Sequence, residues 1–132
     1  MKESQRQFVR DRAERRCEYC RLPEAGHELP FQIEHIIAKK HQGDDSSDNL
    51  AFSCYNCNCF KGPNIAGLDP QTMQLTRIFH PRNDRWEEHF SWIGPEIIGL
   101  TDVGRTTIEV LRINDEENIA LRRLLLEMGI TF

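Results

Sequence analysis

The chain has no long apolar run. Its 132 residues hold nothing near the ~20 consecutive apolar residues that a membrane-spanning helix needs. Even Phe31–Ile37 is interrupted by Gln32, Glu34 and His35. That excludes a transmembrane helix, and no membrane partner is expected. Positive charge is not in excess either. Seventeen Lys and Arg against 21 Asp and Glu give a net charge of −4, which excludes a polybasic protein that coats DNA over its whole surface. The opening MKESQRQFVRDRAERR is charged throughout and offers no apolar segment of a secretory signal, so a cytoplasmic location is expected. Residues 64–132 lack a second metal motif, an internal repeat and a low-complexity run. What remains is a globular composition, 39% hydrophobic and 29% charged, at the length of about one domain.

The net charge hides an asymmetry. Residues 1–62 balance 10 cations with 10 anions, whereas residues 63–132 carry 7 and 11. Arg6, Arg10, Arg12, Arg15 and Arg16 fall within eleven residues. A nucleic-acid partner would therefore meet a local stripe and not a whole face.

Five cysteines are the most informative count. Cys17-Glu-Tyr-Cys20 and Cys54-Tyr-Asn-Cys57 are two C-x2-C pairs with 33 residues between them. Each pair can supply two thiolates to one tetrahedral zinc, and two pairs complete a closed four-sulfur site. Such a site has no open position, so the zinc holds the fold and does no chemistry. Four thiolates and one zinc take the formal charge from −4 to −6. The competing readings are a redox pair or buried free thiols. Redox C-x2-C chemistry uses one pair beside a βαβ pattern, which is absent here. Cys59 is either a substitute ligand or a free thiol on the helix that follows.

Between the pairs, Phe31, Ile33 and His35 alternate with Gln32, Glu34 and Ile36, the period of a strand. Lys39–Asp48 is polar and turn-rich, a loop. Asn49–Ser53 reads as a second strand. Tyr55–Lys61 reads as a short helix stopped by Gly62-Pro63.

Glu34-His35-Ile36, Asp44-Asp-Ser-Ser-Asp-Asn49-Leu50, Cys54-x2-Cys57-Asn58 and Lys61-Gly62 together resemble the HNH endonuclease motif over about residues 15–63. The offsets carry the resemblance: an acid–His pair, an Asn fourteen residues after the His, a further ligand nine later, and cysteine knuckles framing both. It implies a ββα-metal fold that hydrolyses nucleic-acid phosphodiesters with a divalent cation. It implies His35 as general base, Glu34 and Asn58 flanking the cation, and Asn49 pinning the loop that orients the base. The sequence departs from the family at four places. Asn58 stands where His is frequent, which favours magnesium or manganese over softer-site metals. Glu34 stands where Asp is common, Ala38 where Pro is common, and Gln42-Gly43 where two glycines are common.

The chemistry of these residue types agrees. A neutral imidazole with a pKa of about 6.5 can accept a proton from water at neutral pH. A hard cation neutralises phosphate charge and needs only one or two protein oxygens, since magnesium keeps several waters. One geometric requirement follows. Consecutive strand residues face opposite sides, so the strand should end or bend near Glu34 if Glu34 and His35 serve one phosphate.

Outside the motif, Phe8 with Arg12 and Val9 with Ala13 lie at helical spacing within residues 1–16. Met73–Phe79, Glu88–Ile93 and Glu96–Leu100 read as strands of a small antiparallel meander. Thr101 caps a helix through about Leu111. Asn114-x2-Glu117 resembles a capping box for a last helix, with Ile119, Leu121, Leu125 and Met128 as its apolar face and Gly129 as its stop. Trp86, in the cluster His80–His89, reads first as core, with stacking on a base or sugar as the alternative. This extension is similar to those of small bacterial HNH proteins.

The expectation is thus an α+β chain. Residues 1–63 form a zinc-stapled ββα-metal core, and residues 64–132 a meander with C-terminal helices packed on it. The expected cofactors are structural Zn2+ at Cys17, Cys20, Cys54 and Cys57, and catalytic Mg2+ or Mn2+ at Glu34 and Asn58. The expected partner is double-stranded DNA. Arg12, Arg15, Arg16, Lys39, Lys40, Lys61, Arg82 and Arg85 are the candidate phosphate contacts. A monomer with one site would nick; a double-strand cut calls for a homodimer. The alternative is a non-catalytic zinc-stabilised module that binds nucleic acid or protein.

Overall fold

Helical spacing decides the first element. Val9 and Ala13 are one turn apart, and helix α1 (Glu3–Arg12) turns both onto Leu50 and Phe52. Phe8 stays exposed, with the Arg12 guanidinium 5.2 Å above its ring. The computed structural model describes residues 1–132. After α1, Glu14 and Arg15 both take positive φ and swing the chain into the first cysteine knuckle.

Strands β1 (Gln32–His35) and β2 (Leu50–Ser53) pair antiparallel without interruption, from Gln32 opposite Ser53 to His35 opposite Leu50. Ile33 and Phe52 thereby face α1, while Glu34 faces the other way. The long connection between the strands is closed by Asn49. Its amide accepts from Ile37 N (2.9 Å) and donates to the carbonyls of Ile37 (2.9 Å) and Asp44 (2.8 Å). Gly43 permits this closure, since a Cβ there would lie 1.7 Å from the Ile37 carbonyl oxygen. Helix α2 (Tyr55–Lys61) follows at once, its N-terminus capped by the Cys54 sulfur accepting from Cys57 N. Gly62, with φ of 49°, ends it.

The second half differs from the expected meander. Strands β3 (Ala66–Leu68) and β4 (Leu75–Arg77) form one hairpin, and β5 (Phe90–Ile93) and β6 (Glu96–Gly99) another. Arg77 grips Asp84 through two nitrogens, 2.6 and 3.0 Å, and Asp84 also accepts from His80 N. This closed turn and the single-turn helix α3 (Trp86–His89) separate β4 from β5, so the two hairpins do not pair. Helix α4 (Asp102–Val110) is capped by the Thr101 hydroxyl, 3.0 Å from Gly104 N. Helix α5 (Glu116–Glu127) begins after Asp115 and not from Asn114. The Asn114 side chain is occupied by both backbone groups of Ile97 on β6. The buried face of α5 also departs from its apolar pattern. Leu125 is buried, but Met128 is 64% exposed and Arg122 only 2%.

One continuous core runs through both halves. Tyr19 and Leu22 from the knuckle region pack with Phe79, Trp86, Phe90, Ile97, Leu111, Ile113 and Leu125. Trp86 Nε1 donates to the Tyr19 carbonyl at 2.8 Å, so the indole is a core residue. The chain thus mixes helices with three small antiparallel sheets, and no helix is long and apolar enough to cross a membrane.

Candidate active site and metal centre

The four cysteines of the two C-x2-C pairs converge. Cys17, Cys20, Cys54 and Cys57 are buried, and their sulfurs all lie within 4.8 Å of one another. A zinc–sulfur bond of about 2.3 Å sets tetrahedral sulfurs about 3.8 Å apart; Cys20 and Cys54 Sγ are 3.7 Å apart. Backbone amides of Cys20 and Cys57 point at the sulfurs of Cys17 and Cys54, at 3.5 and 3.4 Å, which favours thiolate character there. Burial pushes the Cys17 thiol up, but hydrogen bonds from Cys20, Cys54 and Cys57 outweigh it and bring it well below an ordinary cysteine, while Cys54 and Cys57, first through their hydrogen bonds with Cys17, are raised, so without a metal the cluster's negative charge settles first on Cys17. The donor set fits a closed structural metal such as zinc. Cys59, two residues and about half a turn beyond Cys57 on α2, is exposed and outside the cluster, as a free thiol would be.

His35 ends β1 on the face opposite to Glu34. Its side chain is 26% exposed, and Nε2 lies 2.7 Å from Asp45 Oδ1. Asp45 is brought there by the Asn49-pinned loop and by Gln5 of α1, whose amide donates to the Asp45 carbonyl at 2.8 Å. The bonds from His35 and Lys39 hold the Asp45 carboxyl below its ordinary value. A carboxylate at Nε2 favours the Nε2–H tautomer, which leaves Nδ1 with a free lone pair.

Glu34 sits in a different environment. The strand ends at His35, one residue past Glu34, but it pairs regularly through both, so Glu34 and His35 still face opposite sides. The Glu34 carboxylate is buried. One oxygen accepts from the Tyr19 hydroxyl, and the other lies 3.1 Å from Lys61 Nζ. Burial raises the Glu34 pKa, opposed by Lys61 and Tyr19. Tyr19 is raised well above a free tyrosine by burial first and by the Glu34 charge second. Lys61 Nζ also donates to the His35 carbonyl at 3.2 Å. The ion pair therefore ties α2 to the strand that carries His35. Asn58 is half-buried on α2, and its side-chain amide makes no hydrogen bond within the chain.

Two of the expected phosphate contacts are corrected by their surroundings. Lys61 is 1% exposed and committed to Glu34. Arg82 is mostly buried and ion-paired with Glu18; burial lowers its guanidinium to about 10. Three others have intramolecular partners: Arg12 donates to the Leu50 carbonyl, Arg16 to the Thr131 carbonyl, and Lys39 to Asp45. Arg15, Lys40 and Arg85 are exposed. The sequence reading missed Asp45, Tyr19 and Glu18. The run Asp44-Asp45 in the loop was the available signal for the first. Nothing local marks the other two, whose partners lie fifteen or more residues away.

Cysteine knuckles, a His at the end of β1, an Asn closing the loop and an Asn on α2 now stand in one chain segment, and a comparison places it. Residues 17–63 match the HNH endonuclease family model. The matched HNH segment runs from the first zinc-type cysteine to the residue after the α2 stop. The description of that family is that of an endonuclease. The remaining residues fall outside the matched segment. Neither curated proteins nor solved structures gave a match to the chain.

Proposed function

We propose that the chain is a metal-dependent endonuclease that hydrolyses DNA phosphodiester bonds, with His35 as general base. The observation that carries this reading is the His35–Asp45 contact at the open end of β1, inside the HNH segment. Asp45 holds Nε2–H, and Nδ1 faces the task of taking a proton from the attacking water. Asp45 then stabilises the imidazolium that forms. Asn49 keeps the loop, and hence Asp45, in place. The 3′ oxygen departs, leaving 5′-phosphate and 3′-hydroxyl ends. Arg15, Lys40 and Arg85, with Arg12, Arg16 and Lys39 beside them, are the cations for phosphate.

A divalent cation would be held by Asn58 and Glu34; because Glu34 lies on the face of β1 opposite His35, the strand must bend at Glu34 for the cation and the imidazole to meet at one phosphate. When bound, a hard ion of this kind neutralises charge at the phosphate and the leaving oxygen. The donors fit magnesium or manganese in chemistry. Asn58 offers an uncommitted amide oxygen, and each Glu34 oxygen keeps a second lone pair beside its present partner. Lys61 must yield part of its contact with Glu34 for that ligand to serve. In this reading β1, the connecting loop, β2 and α2 are the ββα unit. The four cysteines staple it with zinc, and residues 64–132 pack on it as part of one domain. A single site nicks one strand, and a homodimer would cut both.

The second reading is a zinc-stapled binding module without catalysis. The engagement of both Glu34 oxygens and the net charge of −4 favour it. Supercoiled plasmid separates the two. The nuclease reading expects conversion to nicked circles when Mg2+ or Mn2+ is added to zinc-loaded protein and none when it is omitted. No conversion with either ion at any enzyme concentration leaves the binding module.

A further inference from the structure

Arg122 is the one arginine of α5 that turns inward, and it is 2% exposed. Its hydrogen bonds all go to neutral oxygens: Nε to the Pro95 carbonyl at 2.6 Å and an Nη nitrogen to Asn114 Oδ1 at 3.0 Å. It forms no ion pair. Glu96, at the exposed start of β6, acts on it less than Cys20, Cys57 and Cys54 do. A buried cation without a counter-ion is strongly unfavourable, so the placement demands an anion nearby. The only buried group beside it that can carry negative charge is the cysteine cluster. Arg122, Cys20, Cys54 and Cys57 line the same cavity, about 10 Å³ in volume, at the lower limit for one water. Little solvent lies between them to screen the interaction.

We infer that Arg122 is the counter-charge of the metal–tetrathiolate centre. Four thiolates on one divalent ion leave a net charge of −2, and the buried guanidinium offsets half of it. The inference rests on the four-cysteine metal reading and goes beyond it. It gives the C-terminal extension a task, because α5 completes the electrostatics of a centre whose ligands lie wholly in the HNH segment. Asn114 holds the guanidinium in place while fixing β6 through Ile97. Removing an outer partner of this kind weakens metal binding on the order of 10–100-fold.

The test uses the full chain and two variants, Arg122→Met and Arg122→Lys, titrated with a chromogenic chelator that competes for zinc. Arg122→Met should lose zinc at roughly 10–100-fold lower chelator concentration, and Arg122→Lys, which keeps the charge, should stay within a few-fold of the parent. In the cobalt-substituted proteins the sulfur-to-cobalt charge-transfer band should move to lower energy in Arg122→Met, because its thiolates lose a stabilising cation. Arg122→Lys should leave that band nearly in place. Equal zinc retention by Arg122→Met and the parent would overturn the inference, as would equal loss in both variants. A parent chain that holds no zinc, with all five cysteines titrating as free thiols after unfolding, would instead remove the metal reading itself.

Discussion

Replacing Lys61 by methionine tests how the strand that carries His35 is held. Lys61 Nζ lies 3.1 Å from a Glu34 oxygen and 3.2 Å from the His35 carbonyl, and the Glu34 and Lys61 side chains are 5% and 1% exposed. Lys61→Met fills nearly the same volume but leaves the carboxylate buried with the Tyr19 hydroxyl as its remaining partner. Breaking a buried pair from one side costs about 3–5 kcal/mol. Against a total stability of about 5–15 kcal/mol, that is a large fraction. Urea unfolding of zinc-replete protein, followed by fluorescence of the buried Trp86, should show a midpoint shift of that size with an unchanged slope. Glu34→Gln in the same chain should recover more than half of the loss, because the amide keeps a hydrogen bond to Tyr19 without a buried charge. A cost below about 1 kcal/mol for Lys61→Met, the range of exposed pairs, would refute the claim that this pair anchors β1 to α2.

Other consequences can be measured beside it. Asp45→Asn keeps the size of the side chain but favours the wrong imidazole tautomer, and should lower the rate of plasmid nicking about 10–100-fold with unchanged zinc content. The effect stays below that of a buried triad aspartate because Asp45 is 65% exposed. Asn49→Ala removes three hydrogen bonds to backbone and should cost about 2–4 kcal/mol at about 1 kcal/mol each, seen as a lower urea midpoint together with slower nicking. Cys54→Ser should abolish stoichiometric zinc and flatten the near-ultraviolet circular dichroism, since the cysteine cluster is part of the main core. Asp69 is held well below the usual carboxylate range, first by hydrogen bonds from Arg105. Its unfolded form binds a proton more readily than its folded form. Its stabilising contribution is therefore full above about pH 4 and is lost as pH falls through its depressed folded value. The difference in urea midpoint between the parent and Asp69→Asn should shrink progressively on acidification below pH 4; a difference constant down to pH 2.5 would contradict it.

How far the sequence could be read depended on the range of the interaction. The cysteine pairs, the bounds of α2 and the Thr101 cap on α4 are set within about four residues, and spacing alone reveals them. The strand holding Glu34 and His35 was legible from its alternation; the bend that shared roles for the two residues would require was not met. What keeps the strand straight is the pairing of His35 with Leu50. Lys61 and Arg82 read as solvated cations because nothing local shows their partners, Glu34 and Glu18, which lie 27 and 64 residues away. Arg122 was hidden by the same rule. A helical-face reading turns leucines inward and arginines outward, and only the distant thiol cluster explains the exception. Asp45 was visible as one acid among several in the loop, and only the loop closure by Asn49 distinguishes it from Asp44 and Asp48.

The central claim is that the imidazole of residue 35 takes the proton from the attacking water. His35→Ala assayed with supercoiled plasmid in Mg2+, beside the parent, tests it most directly. The expected result is at least about a 10²-fold loss of nicking, with zinc per chain and the circular dichroism spectrum unchanged. Nicking by His35→Ala at the parental rate, under the same dependence on added cation, would contradict it.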